Sequence, residues 1–293
     1  MAASFSIRIR EDRCSNCGLC VQDCTSGCLQ QRGERPAAVE PEWCSLCSHC
    51  VAICPVDAIE HGGLRGDPLR PIRREKLDAD AYRELVLSRR SVRWFQPEAV
   101  TRAEVQELID LARYSPTASN SMEVGYSVVL DREMIRSTGL GIFKLGQRLK
   151  RFAESPVGRG LRRLFRRTVV MSLIERYGSR MDYYQELVEQ GRDPICYNAP
   201  ALILVHSPQD SRFGRENCAL AAANLVNYAH AQGFGACYLG FVVVALEWNR
   251  KLRHRLGVPQ GRHAGLALVL GRPAHRYRNP VLRPPAEVTW VGA

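Results

Sequence analysis

Eight cysteines near the N-terminus carry the clearest chemical signal in the chain. Cys14-x-x-Cys17-x-x-Cys20-x-x-x-Cys24 is followed by Cys44-x-x-Cys47-x-x-Cys50-x-x-x-Cys54-Pro55, one spacing used twice. Thiolates in this pattern hold iron–sulfur clusters of the 4Fe–4S type, which exchange single electrons. Structural zinc takes two separated cysteine pairs rather than a triplet followed by a fourth thiol. Nine of the 12 cysteines lie in residues 1–60, and only Cys196, Cys218 and Cys237 lie beyond. Clustered thiols in a reducing compartment read as metal ligands rather than disulfides.

Residues 1–62 resemble a bacterial two-cluster ferredoxin domain, in both cysteine runs, in strand-like residues 5–9 and in the closing Pro55-Val56-Asp57-Ala58-Ile59. Three closely spaced cysteines can wrap one face of a cubane, while the chain closes poorly over its fourth corner. As in those ferredoxins, the fourth cysteine of each run is then expected to ligate the other cluster. Cys14, Cys17, Cys20 and Cys54 would hold the first cluster, and Cys44, Cys47, Cys50 and Cys24 the second. Thr25 stands where the first run would carry a proline, a change that removes no ligand. Cys28 is read as a structural thiol and His49 as a non-ligand. A domain of this kind needs both a donor and an acceptor of electrons.

The second signal is cationic. In Arg89-Arg90-Ser91-Val92-Arg93, three guanidiniums and a hydroxyl could bracket a phosphate through charge-assisted hydrogen bonds. Neither GxGxxG nor GxxxxGK[ST] occurs, so no Rossmann or P-loop nucleotide site is indicated. That arginine segment is followed in order by Ser115-Pro116-Thr117-Ala118-Ser119-Asn120-Ser121, Gly233-Phe234-Gly235-Ala236-Cys237-Tyr238-Leu239-Gly240 and a tail through Arg283 to Trp290. The series resembles the nitroreductase family of FMN enzymes over roughly residues 80–293, with residues 141–195 a poorly matched insertion.

The resemblance implies that Arg89, Arg90, Ser91 and Arg93 hold the FMN phosphate and ribityl chain, with Arg283 adding a phosphate contact. It implies an intertwined homodimer in which Thr117, Ala118 and Asn120 approach the flavin from the partner subunit. Tyr238, Leu239 and Gly240 would lie along the isoalloxazine ring, backbone dipoles tuning its electronics. Met122 and Glu123, and Gly240 and Phe241, depart from residues common in relatives and bear on the substrate side. Cys237 is expected to be a small buried residue rather than a nucleophile, since nothing in the sequence sets a base beside it.

These residues need elements to position them. Three regions are expected: a ferredoxin-like domain over 1–62, a Gly/Pro-rich linker over 63–80 and an FMN domain over 81–293. In the last, a helix is expected over residues 78–87, and another begins at the capping box Thr101-x-x-Glu104. Strands are expected over 126–130, 201–205, 236–239 and 265–270. Helices are expected over 215–232, stopped by Gly233, and over 246–256. The fold class is α+β: a two-cluster ferredoxin-like domain followed by a nitroreductase-like FMN-binding α/β sandwich. Residues 144–167 carry Lys144, Arg148, Lys150, Arg151, Arg159, Arg162, Arg163, Arg166 and Arg167 against only Glu154. Ile142, Leu145, Leu149 and Phe152 recur there at helical spacing. This basic insertion reads as a lid over the flavin, with docking of an acidic partner as the next reading and membrane contact the last.

The net charge of +11 divides unevenly: residues 1–62 hold five Arg and no Lys against eight acidic residues, a net of −3, leaving +14 for the remainder. No nucleic-acid motif accompanies the basic balance, so nucleic acid is not an expected partner. No apolar run approaches the roughly 18 residues needed to cross a bilayer, and the start MAASFSIRIR lacks the pattern of a signal peptide. A cytoplasmic location without membrane contact is expected. The chain thus reads as an iron–sulfur flavoprotein that passes electrons between its clusters and FMN to reduce a small organic acceptor. A nitro compound, a quinone or an activated C=C bond would fit, with ferredoxin, flavodoxin or NAD(P)H as donor. The alternatives are a relay between protein partners, or NAD(P)H oxidation feeding electrons out through the clusters.

Overall fold

A computed structural model describes residues 5–165 and 169–292, so Arg166 and Arg167 of the basic segment lie outside the described residues. The chain forms two compact units, Met1–Leu77 with Ala118–Ser121, and Asp78–Thr117 with Met122–Ala293.

The first unit contains β1 (Ile7–Ile9), α1 (Leu19–Gln22), β2 (Leu29–Arg32), β3 (Arg35–Ala38), α2 (His49–Ile53) and β4 (Ile59–His61). Strand β1 pairs antiparallel with β4, and β2 with β3. The spacing repeat of the cysteines is also a repeat of backbone. Asn16 and Gly18 (φ 56° and 72°) match Leu46 and Ser48 (φ 55° and 61°), and Gly27 (φ 71°) matches Asp57 (φ 48°). Short helices α1 and α2 start directly after Gly18 and Ser48. Ile7, Cys28, Leu29, Val51 and Ile59 form the small core between the two halves.

The second unit is built on β5 (Gly125–Val129), β6 (Ala201–Pro208), β7 (Gly235–Tyr238) and β8 (Arg262–Gly271), an antiparallel sheet in the order β5-β6-β8-β7. Its helices are α3 (Ala79–Ser88), α4 (Arg102–Ala112), α5 (Arg132–Glu154), α6 (Pro156–Phe165), α7 (Val169–Tyr177), α8 (Met181–Glu189), α9 (Gly214–Ala231), α10 (Gly240–Trp248) and α11 (Arg250–Arg255). Strand β6 is apolar on both faces and serves two cores. Leu202 and Leu204 pack with Ile135 and Phe143 of α5 and Val242 and Leu246 of α10. Ala201, Ile203 and Val205 pack with Val105 and Leu108 of α4 and Leu225 of α9. Side chains alternate across a strand, so a continuous apolar run implies cover on both sides.

Local signals account for several boundaries. Asp78 caps α3 through the N–H groups of Asp80 and Ala81, and the reciprocal capping box of Thr101 and Glu104 opens α4. Gly233, with φ 80°, follows the end of α9. One expectation needs correction. The helix expected over 246–256 is two helices, because Asn249 takes extended φ/ψ and its side chain caps α11 through the N–H of Leu252 at 2.9 Å. Ile142, Leu145, Leu149 and Phe152 lie on helix α5 as their spacing implies; Ile142 packs against the core, while Leu145 and Phe152 are 46% and 52% exposed. That helix begins at Arg132 and buries Ile135, Thr138, Gly139 and Phe143. A side chain at Gly139 would overlap the Asp193 carboxylate, so glycine is required for this approach. Among the described residues, no helix is long and apolar enough to cross a membrane.

Candidate functional site

Cys14, Cys17, Cys20 and Cys54 line one recess of the first unit, walled by Ile9, Leu19, Pro36, Val56 and neighbouring side chains. Three of these thiols come from the first run and one from the second. The other four also act on one another. Burial, together with Cys44, Cys47 and Cys24 as like-charged neighbours, pushes the Cys50 thiol up to about 11. Among the described residues, no three His, Cys, Asp or Glu side chains converge as they would on a single metal ion; the cysteines instead surround a space.

Backbone donors face the sulfurs. Leu46 N–H donates to Cys44 Sγ at 3.4 Å and Ala58 N–H to Cys54 Sγ at 3.2 Å. Alternating right- and left-handed residues turn successive N–H groups to one side, a concavity that suits an anion. An apolar wall, thiol ligands and inward N–H groups are a donor set that fits a cluster. His49 Nδ1 instead lies 3.1 Å from Asp23 Oδ2. His61, at the end of β4, was not singled out by sequence, yet its Nε2 is 3.3 Å from Cys44 Sγ. Cys28 Sγ lies 3.4 Å from Cys24 Sγ, and burial pushes the Cys28 thiol up to about 12.

In the second unit, residues 89–93 run beside β7. Ser91 bridges in parallel to Ala236, and Val92 N–H donates to Ala236 O at 3.0 Å. Gly235 makes this possible, since a Cβ there would stand 2.7 Å from Val92 Cβ. The bridge sets the arginine segment next to Tyr238, Leu239 and Gly240, where β7 gives way to α10. The same three residues border an open recess with Val243, Val244 and Leu266, and the Arg215–Glu247 ion pair (2.6 Å) lies on its wall.

The arginines differ in what they touch. Arg90 Nη1 donates to the carbonyls of Leu87, Ser88 and Arg89 at 3.0, 3.1 and 3.0 Å, and its Nη2 donates to Asn279 O. It thereby closes the C-terminus of α3, where a cation is favoured, and holds the C-terminal tail. Arg93 lies over the Tyr197 ring, 5.8 Å from its centroid. Among the described residues, none of Arg89, Arg90 and Arg93 forms an ion pair with a carboxylate. Uncompensated guanidiniums beside a hydroxyl are a donor set that fits a phosphate. Cys237 is buried; burial raises its thiol, while Arg93, Ser91 and Arg89 oppose the shift.

The remaining expected residues sit on separate segments. Thr117 Oγ1 accepts from Met122 N–H at 3.0 Å. Ala118 and Asn120 flank Ser119 in one short turn in which Ser119 and Asn120 are left-handed (both φ 51°), and Asn120 Nδ2 donates to Ser45 O at 2.9 Å within the first unit. Arg283 is exposed in the tail, outside any helix or strand. Met122 is 59% exposed, whereas Glu123 accepts from Asn217 at 3.1 Å and from Ser211. Sequence reasoning also missed Tyr197, whose only local signal is the Asp193-Pro194 and Asn198-Ala199-Pro200 punctuation around it.

Comparison with known proteins agrees with this architecture. A 4Fe-4S binding domain model matches residues 37–60, which contain the second cysteine run. A nitroreductase with bound FMN from Bacteroides fragilis is 18% identical, with a TM-score of 0.51 over 72% of this chain and 98% of that one. One from Desulfitobacterium hafniense, also with bound FMN, is 18% identical, with a TM-score of 0.51 over 72% and 97%. At this identity the likeness speaks for the fold. The Nitroreductase family model matches residues 86–272, more than half of the sequence, and the chain therefore belongs to the nitroreductase family.

Proposed function

We propose that the protein is an iron–sulfur flavoprotein oxidoreductase that carries two 4Fe–4S clusters and FMN and reduces a small organic acceptor. A nitro compound, a quinone or an activated C=C bond would suit. The carrying observation is the Ser91–Ala236 bridge, which sets the arginine segment beside β7 of a nitroreductase fold. The first cluster is assigned to Cys14, Cys17, Cys20 and Cys54, and the second to Cys44, Cys47, Cys50 and Cys24. The clusters supply one-electron carriage, and FMN supplies exchange between one- and two-electron chemistry.

Arg89, Ser91 and Arg93 bind the phosphate and ribityl chain, with Arg283 as a further phosphate contact. The Nη donors of Arg90 are already engaged by carbonyls, so its part is to hold the segment and the tail in place. Tyr238, Leu239 and Gly240 border the ring. Thr117, Ala118 and Asn120 act from the partner subunit of a homodimer. Domains over 1–62 and 81–293 joined by a linker over 63–80 divide the work, with a ferredoxin, flavodoxin or NAD(P)H as donor and the basic helices as a lid.

Denaturing the reconstituted protein tests this reading, which expects release of FMN. Arg93→Ala is expected to weaken FMN retention without lowering iron content. A preparation that carries iron but binds no FMN would refute it.

A further inference from the structure

The turn that precedes β6 is built at a cost that its own path does not require. Asp193 is 2% exposed, and its Oδ1 accepts from the N–H groups of Ile195 (2.8 Å) and Cys196 (3.1 Å). Tyr197 N–H donates to Asp193 O at 3.0 Å. Asn198 Oδ1 accepts from Asp193 N–H at 2.8 Å, and Asn198 Nδ2 donates to Gly191 O at 3.1 Å. Within this cradle both Tyr197 and Asn198 are left-handed, with φ 58° and 52°. Asparagine visits that region readily, but for a bulky aromatic it is a genuine outlier. A chain that only had to turn here would favour glycine or asparagine at both positions.

What the tyrosine does at that position is touch Arg93. The ring is half-buried against the core of the second unit, with the guanidinium carbon 5.8 Å from its centroid. The groups that act on the charge of Arg93 are Cys237, Tyr197 and Tyr277, with no carboxylate among them. An acidic neighbour would fix the guanidinium while occupying its N–H fork and cancelling its charge. An aromatic face restrains the plane through a cation–π contact and leaves most of the fork and the full charge available.

We propose that Tyr197 is a positioning residue of the arginine site, holding Arg93 in the orientation that receives the cofactor phosphate. The inference rests on the reading of residues 89–93 as a phosphate site, and the test separates the two.

Binding of FMN and of riboflavin, which lacks the phosphate, is measured by flavin fluorescence on iron-loaded protein. Four proteins are compared: wild type, Arg93→Ala, Tyr197→Asn and the double variant. Asparagine removes the ring yet tolerates a left-handed backbone, so the fold is kept; melting temperature and iron content check this. If residues 89–93 bind phosphate, wild type prefers FMN and Arg93→Ala abolishes the preference. Failure of this arm overturns the phosphate reading. Tyr197→Asn is then expected to weaken FMN about tenfold, the scale of a desolvated cation–π contact, with riboflavin unchanged. The double variant is expected to bind FMN no worse than Arg93→Ala alone. Tyr197→Phe, which keeps the ring, should stay within about threefold of wild type. With the Arg93 effect intact, the proposal is overturned by an unchanged FMN affinity in Tyr197→Asn, by multiplying effects in the double variant, or by equal losses of FMN and riboflavin.

Discussion

The cysteine loops of the first unit and the arginine segment of the second both gather side chains able to hold a charged group, yet they are assembled differently. All eight expected cluster ligands fall between Cys14 and Cys54, on two loops that repeat each other in spacing and in backbone. The arginine site joins residues 89–93, the turn at 193–198 and the β7–α10 junction, three segments far apart in the chain. A local site is held by short-range turns and can lose a ligand without losing the fold. A non-local site depends on the sheet and on close backbone approach, so damage to its scaffold should reach both stability and cofactor.

The sharpest way to break the comparison is at a shared ligand. Cys54→Ser and Cys20→Ser lie in different runs but face the same recess. Each is expected to lose the same cluster, about four iron atoms per chain, with flavin retained. Iron analysis and the spectrum of the remaining cluster check this. Loss of different clusters in the two variants would contradict the ligand exchange between runs.

Gly235→Val attacks the non-local site. The added side chain meets Val92 at 2.7 Å, and the expected cost is roughly 2–3 kcal/mol, as for overpacking. Flavin binding should fall with it while iron content stays constant. Urea melts and cofactor ratios measure both.

Asp193 gives a pH test of the same scaffold. Among the described residues its Oδ2 is buried without a hydrogen-bond partner, and burial raises its carboxyl to about 6 from an ordinary 3.8. Between those values the folded chain holds a proton that the unfolded chain has released. Stability therefore falls as pH rises from about 4 to about 6, by on the order of 2–3 kcal/mol for this group. Asp193→Asn is expected to flatten that slope in pH-dependent denaturation, while wild type retains it.

The smallest effect lies within the cysteine repeat. Gly18 and Ser48 occupy matching left-handed positions. Gly18→Ala is expected to cost about 1 kcal/mol and Ser48→Gly to gain about 0.5 kcal/mol, both read as shifts in the thermal midpoint of the loaded protein.

Much of this architecture was legible in the sequence wherever the determining residues are neighbours. The cysteine runs, the Thr101–Glu104 capping box, the Gly233 stop and the doubly apolar β6 all announce themselves within one or two turns of chain. The misses have a common cause. An apolar run such as Val242-Val243-Val244-Ala245-Leu246 does not show where a helix starts, and only the Asn249 backbone breaks α10 from α11. That Arg90 spends its donors on α3 and on Asn279, and that Tyr197 reaches Arg93, are facts of long-range packing with no local pattern.

The account stands on electrons passing between the clusters and a flavin in one chain. The direct measurement is anaerobic stopped-flow mixing of reconstituted protein with reduced ferredoxin, following flavin bleaching in wild type and in Cys54→Ser with FMN content matched. The account expects rapid bleaching in wild type and at least about tenfold slower bleaching in the variant, as for removal of an obligatory carrier. Equal rates in the two proteins, or a chain that holds iron and no flavin, would contradict it.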